Sequence, residues 1–182
     1  MTIQTTPFKD LLLIQPMVFR DDRGYFFEPF NEAKFRVETG LNISFVQDNE
    51  SMSNAGVLRG MHFQMPPKAQ AKLIRVTKGR VLDVVVDLRR NQPTYMQYFA
   101  HELSEENKTQ MFVPEGFAHG FAVLEDQTIF SYKCSNYYSK EHDRSLSFKD
   151  PIVGIEWGLA NPIISEKDEL ARAFSTFDSP FF

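Results

Sequence analysis

Arg80-Val81-Leu82-Asp83-Val84-Val85-Val86-Asp87-Leu88 is the stretch that reveals most about how this chain folds. A β-strand turns successive side chains to opposite faces. Val81, Asp83, Val85 and Asp87 therefore share one face, and Leu82, Val84, Val86 and Leu88 share the other. Both faces are rich in apolar side chains, so the stretch reads as a central strand. Lys78-Gly79 turns the chain into it. Upstream, Ile43–Asn49, Val57–Phe63 and Ala71–Thr77 read as strands, as do Gln97–Leu103, Thr109–Val113, His119–Leu124 and Thr128–Tyr138 downstream. Prolines and glycines punctuate these short segments, and Asp150-Pro151 ends the series. Near the N-terminus, Leu11–Phe19 and Gly24–Phe30 read as strands around the turn Asp21-Asp22-Arg23-Gly24. Asn31 caps a short helix that runs toward Gly40, and Ser165 caps another over Glu166–Phe174. So many strands in one chain of this size predict an all-β fold, a double-sheet jelly roll or small barrel with short flanking helices.

The bulk properties bound the function. The 182 residues are 42% hydrophobic, enough for one sizeable core, so residues 1–182 are expected to form a single domain. The net charge is −4, which argues against a nucleic-acid binder, although a few arginines can still converge on a small anion. The single cysteine, Cys134, builds no disulfide framework and fits a reducing cytoplasm. The apolar run Leu11–Ile14, between Asp10 and Gln15-Pro16, is too short for a membrane span and too interrupted for a signal peptide. No Gly-x-Gly-x-x-Gly fingerprint marks a dinucleotide site.

Two segments carry candidate chemistry. In Gly60-Met61-His62-Phe63-Gln64, strand alternation sends His62 and Gln64 to one side. In Pro114-Glu115-Gly116-Phe117-Ala118-His119, a second histidine follows a tight turn. The pair resembles the two motifs of the cupin superfamily, with Gln64 standing where a second histidine ligand would be. An amide is a poor partner for a transition metal beside imidazoles, so acid–base chemistry suits His62 better than a metal site. Read alone, His62 is also compatible with a hydrogen-bonded core histidine. Lys72, beside Leu73, Ile74 and Val76, is either a working cation or a snorkelling edge lysine. Tyr132 shares a face with Phe130 and is either a proton donor or a core tyrosine. Arg59 stands three residues before His62, on the opposite face unless a bulge at Gly60 intervenes.

Taken together, the segments are more specific than either motif. Asp22–Glu28, Gln47–Ser51, Gly56–Gln64, Gln70–Leu73, Val113–Phe121, Asn136–Tyr138, Asp150-Pro151 and Ser165–Asp168 resemble, in order, the dTDP-4-dehydrorhamnose 3,5-epimerase family of cupin-type nucleotide-sugar epimerases. The resemblance runs from about Phe19 to Asp168. It implies His62 as general base, Asp168 as the carboxylate that orients it, Tyr132 as the acid on the opposite face of the sugar, and Lys72 as the cation beside O4. It further implies that Arg23, Glu28, Gln47, Asn49, Arg59, His119 and Lys167 contact a dTDP-sugar and that Tyr138 stacks on thymine. It implies a homodimer whose N-terminal strands cross to the partner, with no cofactor and no metal. One position departs from the family: Asp143 stands where a glutamate is usual, leaving either Asp143 or Glu141 to meet the nucleotide. Residues Glu169–Phe182 carry no family signature.

The implied chemistry is self-consistent. The C3 and C5 protons of a 4-keto sugar flank the carbonyl, and removing one leaves an enolate whose charge a lysine can neutralise. Histidine suits the abstraction, and inversion needs a second donor on the other face. Three rival readings stand: an epimerase acting at C3 or C5 alone or a ketoisomerase, which share the enolate; a metal-dependent cupin oxygenase, against which Gln64 argues; and a non-catalytic sugar- or nucleotide-binding jelly roll.

Overall fold

The computed structural model describes all residues from Met1 to Phe182. In chain order it contains β1 (Thr2–Thr5), β2 (Leu12–Gln15), β3 (Val18–Asp21), β4 (Gly24–Phe27), α1 (Glu32–Thr39), β5 (Gln47–Ser53), β6 (Leu58–Gln64) and β7 (Lys72–Lys78). These are followed by β8 (Arg80–Asp87), β9 (Tyr98–Ser104), β10 (Gln110–Val113), β11 (Phe117–Val123), β12 (Thr128–Cys134), β13 (Asp143–Ser145) and α2 (Glu166–Glu169). A six-stranded sheet runs β1-β2-β10-β7-β12-β5, and a five-stranded sheet runs β13-β6-β11-β8-β9. β3 and β4 form a separate hairpin. This is the double-sheet, all-β architecture that the sequence predicts.

The alternation along β8 organises the packing. Val81 and Val85 enter the core between the sheets, together with Ile74, Val76, Met111, Phe121 and Phe130. Val84, Val86 and Leu88 point outward into a second core. That outer layer is closed by Leu146, Phe148, Trp157, Phe174 and Phe181 from the C-terminal third of the chain. The tail beyond Asp168, which carries no motif, therefore seals the back of the five-stranded sheet. A third cluster buries Phe35 of α1 against Leu73 and Phe112 of the six-stranded sheet.

Local chemistry explains the element ends. Asn31 Oδ1 accepts from Lys34 N and caps α1, and Gly40 closes it at φ 72°. The segment Leu11–Phe19 is not one strand. It divides at Pro16 into β2 and β3, which belong to different sheets, because proline offers no N–H to a ladder. The strand expected at Ile43–Asn49 begins only at Gln47; Ile43 and Phe45 instead pack as extended chain in the α1 cluster. The strand expected to reach Tyr138 stops at Cys134, where Ser135 N donates to Ala71 O. The helix expected over Glu166–Phe174 is one turn long, because Arg172 leaves it to bridge to Leu146. β1 and β13 have no counterpart in the sequence reading.

Candidate active site

A cavity of about 360 Å³ opens at one end of the space between the sheets. β6 supplies His62 and β11 supplies His119, which are register partners side by side on the five-stranded sheet. Lys72 of β7 and Tyr132 of β12 enter from the opposing six-stranded sheet.

The local fold of β6 sets the histidine side. His119 pairs with His62 and Phe121 with Arg59, so two steps along β11 match three along β6. The extra residue is a bulge, and it brings Arg59 onto the His62 face, where both line the cavity. Gly60 occupies the bulge at φ 144°, and a Cβ there would lie 2.5 Å from Gly120 Cα. Only glycine lets the two backbones approach this closely. Arg59 Nε donates to Ser53 Oγ at 3.1 Å.

His62 Nε2 lies 2.5 Å from Asp168 Oδ1, across 106 residues of sequence. The imidazole is 34% exposed toward the cavity, whereas the carboxylate is 3% exposed. Asp168 sits on α2, whose cap Ser165 accepts from Asp168 N. Burial alone would push the Asp168 carboxyl up. Hydrogen bonds from His62 and Ser165 and the charge of His62 outweigh it and hold the group below the ordinary carboxylate range. With Nε2–H donating to Asp168, the other ring nitrogen is free to accept a proton.

The opposing wall is a different environment. Burial pushes Lys72 below the usual lysine range, against the pull of Cys134, Asp83 and Asp143. Its Nζ stands 5.7 Å from the centre of the Tyr132 ring. Burial, then Cys134, push the Tyr132 phenol up, so it stays protonated well above neutrality. An imidazole on one sheet thus faces a lysine and a protonated phenol on the other.

His119 is buried and pairs with Asp83, Nε2 to Oδ2 3.0 Å. Burial pushes His119 down, aided by the nearby Lys72 and His62 and opposed by Asp83. Its ring and the stacked pair Phe121–Phe130, 3.9 Å between centroids, form one side of the cavity. The sequence reading assigned Asp83 no role. Its signal was a charge on the apolar face of a central strand, which requires a partner when buried.

At the mouth, Gln47 Nε2 donates to Asn49 Oδ1 at 3.0 Å, and Gln47 Oε1 accepts from Tyr138 N at 2.9 Å. Asp143 accepts from Lys167 Nζ at 2.6 Å and from the Tyr138 hydroxyl at 3.3 Å. Asp143, not Glu141, lines the cavity. Lys167 and Asp168 are neighbours on α2, one reaching the mouth and the other the base. Cavity-lining residues that the sequence did not single out include Ser51, Gln70, Phe121 and Phe130.

Two expected contacts are elsewhere. Arg23 lies at the tip of the β3–β4 hairpin, bound to Asp21, and Glu28 pairs with Lys34 at 2.8 Å beside α1. Neither lines the His62 cavity of its own chain.

Comparison with known proteins identifies the relatives of this chain. The family model for dTDP-4-dehydrorhamnose 3,5-epimerase matches residues 5–176. The dTDP-4-dehydrorhamnose 3,5-epimerase of Shigella flexneri is 46% identical over 98% of each chain. A crystal structure of the enzyme of that name from Elizabethkingia anophelis is 52% identical, covers 96% of each chain and superposes with a TM-score of 0.91. The dTDP-6-deoxy-D-glucose-3,5-epimerase of Legionella pneumophila, solved with dTDP-4-keto-L-rhamnose, is 40% identical. It covers 100% of this chain and 98% of that one, with a TM-score of 0.95. Fold, cavity and full-length similarity together establish that the chain belongs to the dTDP-4-dehydrorhamnose 3,5-epimerase family.

Proposed function

We propose that the cavity inverts C3 and C5 of a dTDP-4-keto-6-deoxy sugar by proton abstraction and reprotonation through an enolate. The observation that carries this reading is the 2.5 Å contact between His62 and the buried Asp168, set against Lys72 and Tyr132 on the opposite sheet. Asp168 accepts the Nε2 proton of His62 and fixes its tautomer, so Nδ1 takes the proton from the sugar carbon. The electron pair moves toward O4, where the Lys72 ammonium meets the developing charge in a partly dry site. Tyr132, whose phenol burial pushes above its ordinary range, delivers a proton to the other face of the same carbon. For the second centre, His62 must lose its acquired proton and Tyr132 must regain one. Neither step needs a redox partner. Gln64, whose amide is committed to backbone partners, favours acid–base use of this cupin position over metal ligation.

Arg59 and Lys167 supply charge for the diphosphate, His119 and Asn49 contact the sugar-nucleotide, and Tyr138 stacks on the base. Arg23 and Glu28 serve through dimerisation. The β3–β4 hairpin exposes Phe19 at 58% and Phe26 at 70%, which is costly for a free monomer. We infer a homodimer in which this hairpin enters the partner's cavity mouth. The reading treats residues 1–182 as one domain acting in the cytoplasm; no helix is long and apolar enough to cross a membrane.

The test is incubation of the protein with dTDP-4-keto-6-deoxyglucose in deuterium oxide, following H3 and H5 by NMR beside His62→Ala. Exchange and inversion at both carbons, abolished in the variant, is the expected result. Exchange at one carbon marks a monofunctional relative, and nucleotide binding without exchange removes the catalytic reading. Phe26→Glu should convert a dimer to an inactive monomer in sedimentation; a wild-type monomer would refute the crossed hairpin.

A further inference from the structure

Gln64 stands two residues beyond His62 on the same face of β6, yet its side chain is turned to a different task. It is 5% exposed. Its Nε2 donates to Lys68 O at 2.9 Å and to Tyr137 O at 3.3 Å. Its Oε1 accepts from Ser139 N at 2.5 Å. The last two partners are the peptide groups on either side of Tyr138. A primary amide offers one acceptor and two donors, and here it engages the flanking backbone as a neighbouring strand would. The remaining backbone donor at this point, Tyr138 N, is taken by Gln47 Oε1. A second glutamine repeats the device one step away, with Gln70 Nε2 donating to Asn136 O at 2.7 Å.

These bonds matter because β12 ends at Cys134, so residues 136 to 139 have no ladder to hold them. The Tyr138 ring is nevertheless part of the cavity wall, with its side chain largely exposed at the mouth. Ordering an exposed aromatic in advance of binding removes an entropic cost that the ligand would otherwise bear.

We propose that Gln64 is a positioning residue for the nucleotide end of the cavity: its amide fixes the Tyr137–Ser139 backbone so that Tyr138 presents its ring to a flat heteroaromatic base. The inference rests on the epimerase reading and extends it. The cupin position that in metal-binding relatives would present a ligand here presents none, and instead builds the ligand-binding rim.

The experiment measures dTDP binding by calorimetry, which needs no turnover. Gln64→Met keeps the volume and removes all three bonds; it should weaken dTDP about tenfold, the scale of two lost buried hydrogen bonds. The loss should appear in KM for the keto sugar rather than in kcat. In a Tyr138→Ala background the same substitution should have little further effect, since its target is gone. A residue with a merely structural role would lower the melting temperature and leave this non-additivity absent. Gln64→Glu is run in parallel in case the methionine variant does not fold. It keeps the acceptor for Ser139 N, loses both donors and should reproduce the affinity loss. Wild-type affinity in a folded Gln64 variant, or an equal loss with and without Tyr138, would overturn the proposal. A wild-type protein that does not bind dTDP would instead overturn the parent reading.

Discussion

Asp168→Asn is the most informative single change. It preserves shape and removes one charge from a contact of 2.5 Å to His62. As His62 takes a proton from the sugar, it becomes a cation beside that carboxylate. With the centres of the two charges about 4 Å apart and an effective dielectric near 20, their attraction is about 4 kcal/mol. At 1.36 kcal/mol per tenfold, that is about a thousandfold in rate. The intermediate dielectric suits a pair in which the imidazole is 34% exposed and the carboxylate 3%. Asparagine adds a second penalty, because its amide can donate to Nε2 and drive the ring proton onto Nδ1, the nitrogen needed as base. A comparable substitution in a serine protease triad costs about ten thousandfold. The expected loss in kcat therefore lies between about a thousandfold and ten thousandfold. The assay is deuterium wash-in at C3 and C5 under saturating substrate, with thermal melting as a folding control. A folded variant that keeps more than about a tenth of the wild-type rate would refute the claim that Asp168 stabilises the protonated base.

Three further outcomes follow from the geometry. Lys72 is held below the usual lysine range by burial, so its ammonium is lost at lower pH than that of an exposed lysine, whereas the raised Tyr132 stays protonated there. The alkaline limb of kcat/KM should thus report Lys72, and Lys72→Arg should move that limb upward whatever it does to the maximum; an unmoved limb refutes this assignment. Tyr132→Phe should retain deuterium incorporation at C3 and C5 while losing inversion, since His62 still removes and returns the proton on one face; wild-type inversion would remove Tyr132 from the mechanism. Gly60→Ala should destabilise the fold by about 3 kcal/mol or more in urea titration, because its Cβ would lie 2.5 Å from Gly120 Cα; a shift below about 1 kcal/mol would mean that the β6 bulge relaxes freely.

The fold was legible where periodicity carried it. The alternation of Val81, Asp83, Val85 and Asp87 with Leu82, Val84 and Val86 marks a two-sided strand, and the structure places a core on each face. Asn31 and Gly40 mark their helix for equally local reasons. What was not legible depends on pairing across the chain. β13 is three residues long and exists because Asp143–Ser145 finds β6. The bulge that turns Arg59 toward His62 was an open alternative until β11 showed one residue fewer on its side. Asp83 sat in plain view, but its partner His119 lies 36 residues away on a neighbouring strand. Arg23 and Glu28 came from family resemblance, and no local signal says which chain's cavity they serve. The final residues held no motif, yet Phe174 and Phe181 are buried because the outer face of β8 must be covered by something.

The contact between His62 and Asp168 makes the site depend on the last part of the chain. Every strand of the cavity wall, through Cys134 and Ser145, precedes Asp168 in sequence. The carboxylate beside the imidazole and the side chains Phe174 and Phe181 that cover the outer sheet come from one final stretch. Detaching that stretch ahead of Ser165 would strip His62 of its partner and uncover the five-stranded sheet in a single event.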